Sequence, residues 1–291
     1  MSERIAFLKG HGTENDFVLL PDADGDLVGD LSPELTAALC DRRAGLGADG
    51  VLRVVRTEAY DDPASVAARG EAAWFMDYRN ADGSVSEMCG NGIRVFARYL
   101  AEHEHVDTSR PLAVATRGGT RRLTFTGDAV SVDMGVPVVL GETEIGVEGR
   151  CWPALHVSMG NPHAVAFVGS LDDAGSLHEA PEHDPATYPA GVNVELVVRR
   201  GERHVAMRVH ERGSGETRSC GTGACAVMVA AALADGTDPQ LTGRGTTYRV
   251  DVPGGRLEVG WADDGHVVLT GPAVLVARGE WLGGETGRSG G

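Results

Sequence analysis

Two cysteines, Cys89 and Cys220, each open the same four-residue pattern, Cys-Gly-Asn-Gly in one place and Cys-Gly-Thr-Gly in the other. A run with strand character precedes each, Trp74 to Asn80 and Val205 to Glu211, and eight residues intervene both times. Apolar residues at helical spacing follow: Ile93, Phe96, Tyr99 and Leu100 after the first pattern, an all-apolar stretch from Ala224 to Leu233 after the second. Each thiol is therefore expected at a helix N-terminus, where the first N–H groups have no internal partner and the dipole is positive. That position favours thiolate by roughly 0.3–1 kcal/mol, up to ~2 when partly buried, and so predicts a depressed thiol pKa. The glycines admit a ligand close to the backbone, and the free N–H groups suit a carboxylate.

Two such thiols suit proton transfer at carbon. Inverting an α-carbon removes a proton from one face and delivers one to the other, and an opposed acid and base do this without moving. Helix N-termini aimed at the α-carboxylate would also stabilise the charge that develops on deprotonation. Cys40, Cys151 and Cys225 read instead as packing residues, the last within the apolar helix.

The elements that must position these groups recur in the same order. An offset of 131 residues brings Met76 onto Met207, Asn80 onto Glu211 and Cys89 onto Cys220. Earlier, Asn15-Asp-Phe-Val echoes Asn161-Pro-His-Ala-Val, and Asp49-Gly-Val-Leu echoes Val192-Asn-Val-Glu-Leu. Short β-type runs separated by Gly, Pro and Asp dominate the rest. The expected fold class is α+β: two homologous domains, each a mostly antiparallel sheet or barrel wrapped around a central helix, with the active site in the cleft between them. The expected boundaries are 1–131 and 132–271. Residues 272–282 are expected as a strand returning to the N-terminal half, and 283–291 as a flexible Gly-rich tail. Ser32-Pro-Glu predicts a capped helix running to about Arg42. The Gly45-Leu-Gly-Ala-Asp-Gly50 run matches a dinucleotide-binding pattern, but a helix precedes it and a strand follows, which reverses the order that pattern needs.

Composition narrows the function classes. A net charge of −16 argues against nucleic acid, whose phosphates need a basic surface. No run of apolar residues is long enough to span a membrane, and the N-terminus lacks a signal-peptide pattern, so a cytoplasmic protein is expected. Five cysteines without Cys-x-x-Cys spacing, and no histidines at i, i+4, argue against a disulfide framework or a structural metal. The only lysine, Lys9, lies in an apparent strand, which disfavours a pyridoxal-phosphate Schiff base.

Several motifs together resemble the diaminopimelate epimerase family. They are Lys9-Gly-His-Gly-Thr-Glu-Asn15-Asp-Phe, Tyr78-Arg-Asn80-Ala-Asp-Gly-Ser, Met88-Cys-Gly-Asn-Gly92, Met159-Gly-Asn161-Pro-His163, Gly191-Val-Asn193 and Glu211-Arg212-Gly, with Cys220-Gly-Thr222-Gly closing the set. The match runs from Lys9 to about Arg278 in the family's motif order. The resemblance implies interconversion of LL- and meso-2,6-diaminopimelate without cofactor or metal, with Cys89 and Cys220 as the acid/base pair. It implies that Asn15, Asn80, Asn161, Asn193 and Arg212 hold the substrate's carboxylates and amines. Gly90, Asn91, Gly221 and Thr222 would bind through the two helix turns. His163 and Glu211 would lie beside the reacting centre, where Glu211 can also receive an ammonium. The implied partners are a small-molecule substrate and a second copy of the chain, in a homodimer. Where Gly50 stands some members of the family carry Gln, a ligand contact that is missing or replaced here. Two alternatives stay open at this point: a proline or hydroxyproline racemase-like enzyme of the same fold, and a non-enzymatic amino-acid binding protein. The first often has His at the position of Asn91 and needs no second amino-acid end. The second needs no paired thiols.

Overall fold

The computed structural model describes residues 4–26 and 31–283, so most of the expected tail, residues 284–291, lies outside the described residues. The strands are β1 (Ile5–Gly12), β2 (Asn15–Pro21), β3 (Gly50–Arg56), β4 (Trp74–Asn80), β5 (Leu112–Ala115), β6 (Arg121–Thr126), β7 (Ala129–Asp133), β8 (Val138–Val147) and β9 (Arg150–Ser158). They continue with β10 (Pro162–Phe167), β11 (Glu182–His183), β12 (Asn193–Gly201), β13 (His204–Glu211), β14 (Gly215–Thr217), β15 (Thr246–Val252), β16 (Gly255–Trp261), β17 (Val267–Pro272) and β18 (Val274–Trp281). The helices are α1 (Pro33–Cys40), α2 (Pro63–Ala67), α3 (Gly90–His103), α4 (Gly221–Ala234) and α5 (Pro239–Thr242). None of the described helices is long and apolar enough to cross a membrane.

The chain divides into two compact units. Of the described residues, unit 1 comprises 4–12, 16–26, 31–130 and 273–283, and unit 2 comprises 13–15 and 131–272. In unit 1, β2 and β3 run parallel, β3 pairs antiparallel with β4, and β4 runs parallel to β5. Strand β18 pairs antiparallel with β1, from Ile5 opposite Trp281 to His11 opposite Val274. Unit 2 repeats this plan: β10 runs parallel to β12, β12 antiparallel to β13, and β13 parallel to β15. The parallel pairs follow from connectivity. Strands joined by a crossover cannot pair as hairpins do; α1, α3 and α4 lie in three of these crossovers, and the connection from β10 to β12 carries the short strand β11 instead. Antiparallel pairs are in the majority, as the sequence suggested, with these parallel pairs among them.

Each unit is built around its long helix. Helix α3 packs on β1, β3, β4 and β18, with Ile93, Phe96 and Leu100 fully buried. Helix α4 is apolar on every side and is correspondingly surrounded, touching β9, β10, β12, β13, β15, β16 and β17. Ala224, Cys225, Val227, Met228 and Ala231 have no exposed surface. A helix without a polar face can be accommodated only in this way. The Ser32 cap is present, its hydroxyl accepting from Leu35 N–H at 3.1 Å, and the helix it opens ends at Cys40. The chain leaves helical geometry at Asp41, whose N–H closes the last turn on Ala37. Gly50 begins β3, so the Gly-rich run joins a helix to a strand and meets no helix N-terminus.

Candidate active site

Both cysteines occupy N-cap positions. In unit 1, Cys89 has extended backbone and its sulfur accepts from Gly92 N–H at 3.4 Å, opening α3. Arg94, fully buried one turn on, braces the same turn from beneath. Its guanidinium donates to the Gly90 carbonyl at 3.2 Å and to the Asn91 side-chain oxygen at 2.9 Å. Asn91 is itself buried, so its amide serves the turn and does not reach freely into solvent. Asn80 ends β4 opposite Gly50, and its amide donates to the Ser84 hydroxyl at 2.9 Å.

In unit 2, Cys220 accepts from Gly223 N–H at 3.3 Å and opens α4, with the Thr222 hydroxyl 3.5 Å from its sulfur. Glu211 ends β13, takes the Thr217 hydroxyl as a donor and acts on the Cys220 thiol through its charge. Burial pushes the Cys220 thiol well above its usual range, and the negative charges of Glu211 and Glu195 push it further. The Thr222 hydroxyl and the Gly223 N–H act in the opposite sense without prevailing. The helix terminus was expected to depress this thiol. Its effect is present, but a dipole contribution of at most ~2 kcal/mol is outweighed by desolvation and two carboxylates. Glu211 is also raised above the ordinary carboxylate range, chiefly by burial.

His163, on β10, has no exposed surface. Its Nδ1 lies 2.7 Å from a carboxylate oxygen of Glu195, and its Nε2 lies 3.0 Å from the Asn161 side-chain oxygen. The Asn161 amide nitrogen faces the Thr222 hydroxyl at 3.4 Å. Asn193 works as a strut: it donates to the Pro162 carbonyl and accepts from Arg212 N–H, each at 3.0 Å. The Arg212 side chain is exposed and donates to the Ala190 carbonyl at 3.2 Å. Asn15 starts β2 after a turn whose Thr13 and Glu14 both have positive φ. That costly geometry is held by a 2.6 Å hydrogen bond between the Thr13 and Ser219 hydroxyls and by the Glu14–Arg218 ion pair.

The strand registers reveal which positions correspond. Phe17 lies opposite Gly50 and Gly50 opposite Asn80. His163 lies opposite Asn193, and the ladder that pairs Val194 with His210 leads one step on to Glu211. Unit 2 thus presents His, Asn and Glu where unit 1 presents Phe, Gly and Asn. At Gly50 no side chain could stand, because an added Cβ would meet the Arg79 carbonyl at 2.5 Å and the Tyr78 ring at 2.7 Å. The ring of Tyr78 fills the space where a longer residue 50 would begin.

Three contributors carry no motif of their own in the sequence. Arg94 reads there as one of the polar residues of an amphipathic helix. Thr217 lies in the short strand β14, which no periodicity marks. Glu195 sits within the apolar run Val192 to Val198, and that lone acid was the available signal. Its second carboxylate oxygen is buried with no partner, an arrangement that costs about 1–3 kcal/mol and that an apolar residue would avoid. Lys9 is occupied by an ion pair with Asp16 at 2.6 Å and by the Gly47 carbonyl. Among the described residues no group of three His, Cys, Asp or Glu side chains is arranged to hold a metal.

The model of the diaminopimelate epimerase family matches residues 7–140 and 155–276. A diaminopimelate epimerase of Streptomyces coelicolor is 62% identical over 98% of this chain and 99% of its own. This chain belongs to the diaminopimelate epimerase family. Another diaminopimelate epimerase, from Mycolicibacterium smegmatis, is 46% identical over 95% of this chain and 96% of its own. Solved structures share the fold at much lower identity. A PhzF-family phenazine biosynthesis protein of Bacillus anthracis superposes with a TM-score of 0.71 at 17% identity, covering 96% of this chain and 99% of its own. A hydroxyproline epimerase of Agrobacterium vitis gives 0.62 at 14%, covering 95% and 92%. Membership in the epimerase family disfavours the racemase-like and binding-protein alternatives.

Proposed function

We propose that this chain interconverts LL- and meso-2,6-diaminopimelate, with Cys89 and Cys220 as the proton-transferring pair on opposite faces of the α-carbon. The observation that supports this most is the matched N-cap geometry. Each sulfur takes the N–H of the third residue onward in its helix, so each turn stabilises a thiolate while leaving other N–H groups for a carboxylate. Cys220 rests as a thiol, since burial and two carboxylates disfavour its anion. It is therefore the proton donor in one direction, with Cys89 as the base. Delivery of that proton to carbon leaves a thiolate on Cys220, held by the Gly223 N–H and the Thr222 hydroxyl. In the reverse direction that thiolate takes the α-proton back. Asn15, Asn80, Asn161, Asn193, Arg212, Gly90, Asn91, Gly221 and Thr222 would hold the two amino-acid ends, and His163 and Glu211 would set the field at the reacting carbon.

The test is solvent exchange. Reduced protein incubated with LL-diaminopimelate in deuterated buffer is expected to exchange the α-hydrogen, read by proton NMR, while proline is left unchanged. Folded protein that exchanges neither, or exchanges proline instead, would overturn the reading. Cys89→Ala and Cys220→Ala should each lower epimerisation by at least about 10²–10⁴-fold, the usual range for a positioned acid or base. Two single variants at wild-type rates would refute the two-thiol mechanism. A cytoplasmic homodimer is the setting the resemblance implies. Light scattering tests the second part, with a mass near twice 30.5 kDa expected.

A further inference from the structure

Arg94 has no exposed surface and lies one turn into α3 from Cys89. Taking a cation out of water is costly, so its place in the interior needs a reason beyond filling space. Forming the helix start does not supply that reason. Helix α4 opens in the same way: Cys220 caps it with extended backbone, and its sulfur accepts from the third N–H onward, as that of Cys89 does in α3. Five residues after Cys89 stands Arg94, and five residues after Cys220 stands buried Cys225. A Cys-Gly-x-Gly helix start therefore forms without a buried guanidinium.

The two turns differ in the residue between their glycines. In α4 it is Thr222, whose hydroxyl lies 3.5 Å from the Cys220 sulfur. In α3 it is Asn91, only 1% exposed, and Arg94 is what meets it. The Asn91 side-chain oxygen accepts from one guanidinium nitrogen at 2.9 Å, and the Gly90 carbonyl accepts from the other at 3.2 Å. A guanidinium only donates, so the atom of the Asn91 amide that faces it is the oxygen, and the N–H₂ group is directed away. Gly12, at the end of β1, leaves the space for this arrangement. A Cβ there would come 3.0 Å from the same guanidinium nitrogen and 3.1 Å from the Asn91 carbonyl oxygen.

The contact with Gly90 has the further consequence. The Gly90 carbonyl and the Asn91 N–H belong to one planar trans peptide and so point in opposite directions. Arg94 takes the carbonyl from the helix side, which leaves the Asn91 N–H directed out of the N-terminus that Cys89 caps. A charged donor on the carbonyl also polarises that peptide and strengthens its N–H as a donor.

We infer that Arg94 is a positioning residue for substrate binding: by holding the Gly90 carbonyl and the Asn91 amide, it aims and strengthens the Asn91 N–H as a donor to a carboxylate of the ligand. This rests on the epimerase reading above, in which the Cys89 turn receives one end of diaminopimelate.

The sequence Gly-Asn occurs twice in the chain, at Gly90-Asn91 and at Gly160-Asn161. Labelling with carbonyl-carbon-13 glycine and nitrogen-15 asparagine gives one NMR signal for each, and the second is an internal reference for folded protein. In Arg94→Met, which has no donor, the Gly90–Asn91 signal should move from its wild-type position while the Gly160–Asn161 signal stays. Arg94→Lys, with a single charged group in place of the fork, should lie between. In the exchange assay Arg94→Met should raise KM for diaminopimelate about tenfold, as loss of a charge-assisted hydrogen bond does, and should lower kcat by less. Arg94→Lys should recover part of that KM. A turn that merely came loose would displace Cys89 and lower kcat at least as much as it raised KM. An unmoved Gly90–Asn91 signal in Arg94→Met, an unchanged KM, or a loss in kcat larger than the rise in KM would overturn the inference. If Arg94→Met did not fold, Arg94→Lys decides by the same measurements: a shifted signal with a raised KM supports the inference, and wild-type values for both overturn it. If the wild type exchanged no diaminopimelate, the epimerase reading would fail, yet the labelled spectra would still judge whether Arg94 holds the Gly90–Asn91 peptide.

Discussion

The two Cys-Gly-x-Gly turns are alike in sequence, yet their second glycines should respond differently to the same methyl group. At Gly92 a Cβ would meet Leu52, Cys89 and Phe17 side-chain atoms at 3.3–3.4 Å, contacts that neighbours can relieve by small shifts. Alanine also gains up to about 1 kcal/mol over glycine within a helix. Gly92→Ala should therefore be close to neutral in stability. At Gly223 the methyl would come 2.6 Å from the Glu195 carboxylate and 3.2 Å from Cys220 Cβ. The carboxylate has no solvent to retreat into, so relief breaks its bond to His163, a charged hydrogen bond worth about 1.5–3 kcal/mol. Less the helical gain, Gly223→Ala should destabilise by about 0.5–2 kcal/mol. Urea unfolding of both variants measures this, and α-hydrogen exchange reads the effect on chemistry, with a large loss for Gly223→Ala and a small one for Gly92→Ala. Equal stability and equal activity in the two variants would refute the reasoning.

Two further outcomes follow from ionisation. Because Cys220 is raised above 9.0, its alkylation should climb only in alkaline solution, whereas exposed Cys151 serves as the reference within the same sample. Glu211→Gln removes one of the raising charges and should shift the Cys220 profile to lower pH; peptide mass spectrometry across a pH series would show no such shift if the carboxylate is irrelevant. Asp16 sits at about 2 instead of 3.8, since hydrogen bonds and charges of Arg42 and Lys9 outweigh its desolvation. A lowered carboxyl stabilises above its unfolded pKa and loses that contribution as pH falls through the folded one. The shift corresponds to about 2 kcal/mol, and Arg42, 58% exposed, brings the expectation to about 1–2 kcal/mol. Asp16→Asn should show that deficit in urea unfolding near pH 7 and progressively less of it from about pH 4 down to pH 2. A deficit that did not change with pH would contradict the ion-pair origin.

What the sequence made legible was local or periodic. Both strand–loop–cysteine–helix units could be read because apolar spacing and glycines mark them, and the all-apolar stretch after Cys220 already required a helix enclosed by strands. The Ser32 cap was readable for the same reason. The state of Cys220 was not, because it depends on burial and on Glu211 and Glu195, which reach it from two different strands. Arg94 and Glu195 were hidden by their neighbours: a charge on a helix or in a strand looks solvent-facing until the packing shows it has no exposed surface. The reason for the glycine at position 50 was hidden as well, since Tyr78, whose ring fills the space there, comes from the adjacent strand.

The pairing of β1 with β18 has a consequence for how the molecule is made. Ile5 finds its partner in Trp281, so nearly the whole chain must leave the ribosome before that edge of unit 1 can close. At about 5–20 residues per second, β1 waits roughly 15–55 s with its hydrogen-bonding groups unpaired on that side. An unpaired strand edge is a template for association with other chains. Nascent unit 1 is therefore the species that chaperones would be expected to shield, and truncations that remove β18 should leave a product prone to aggregate even though every other strand of that unit is present.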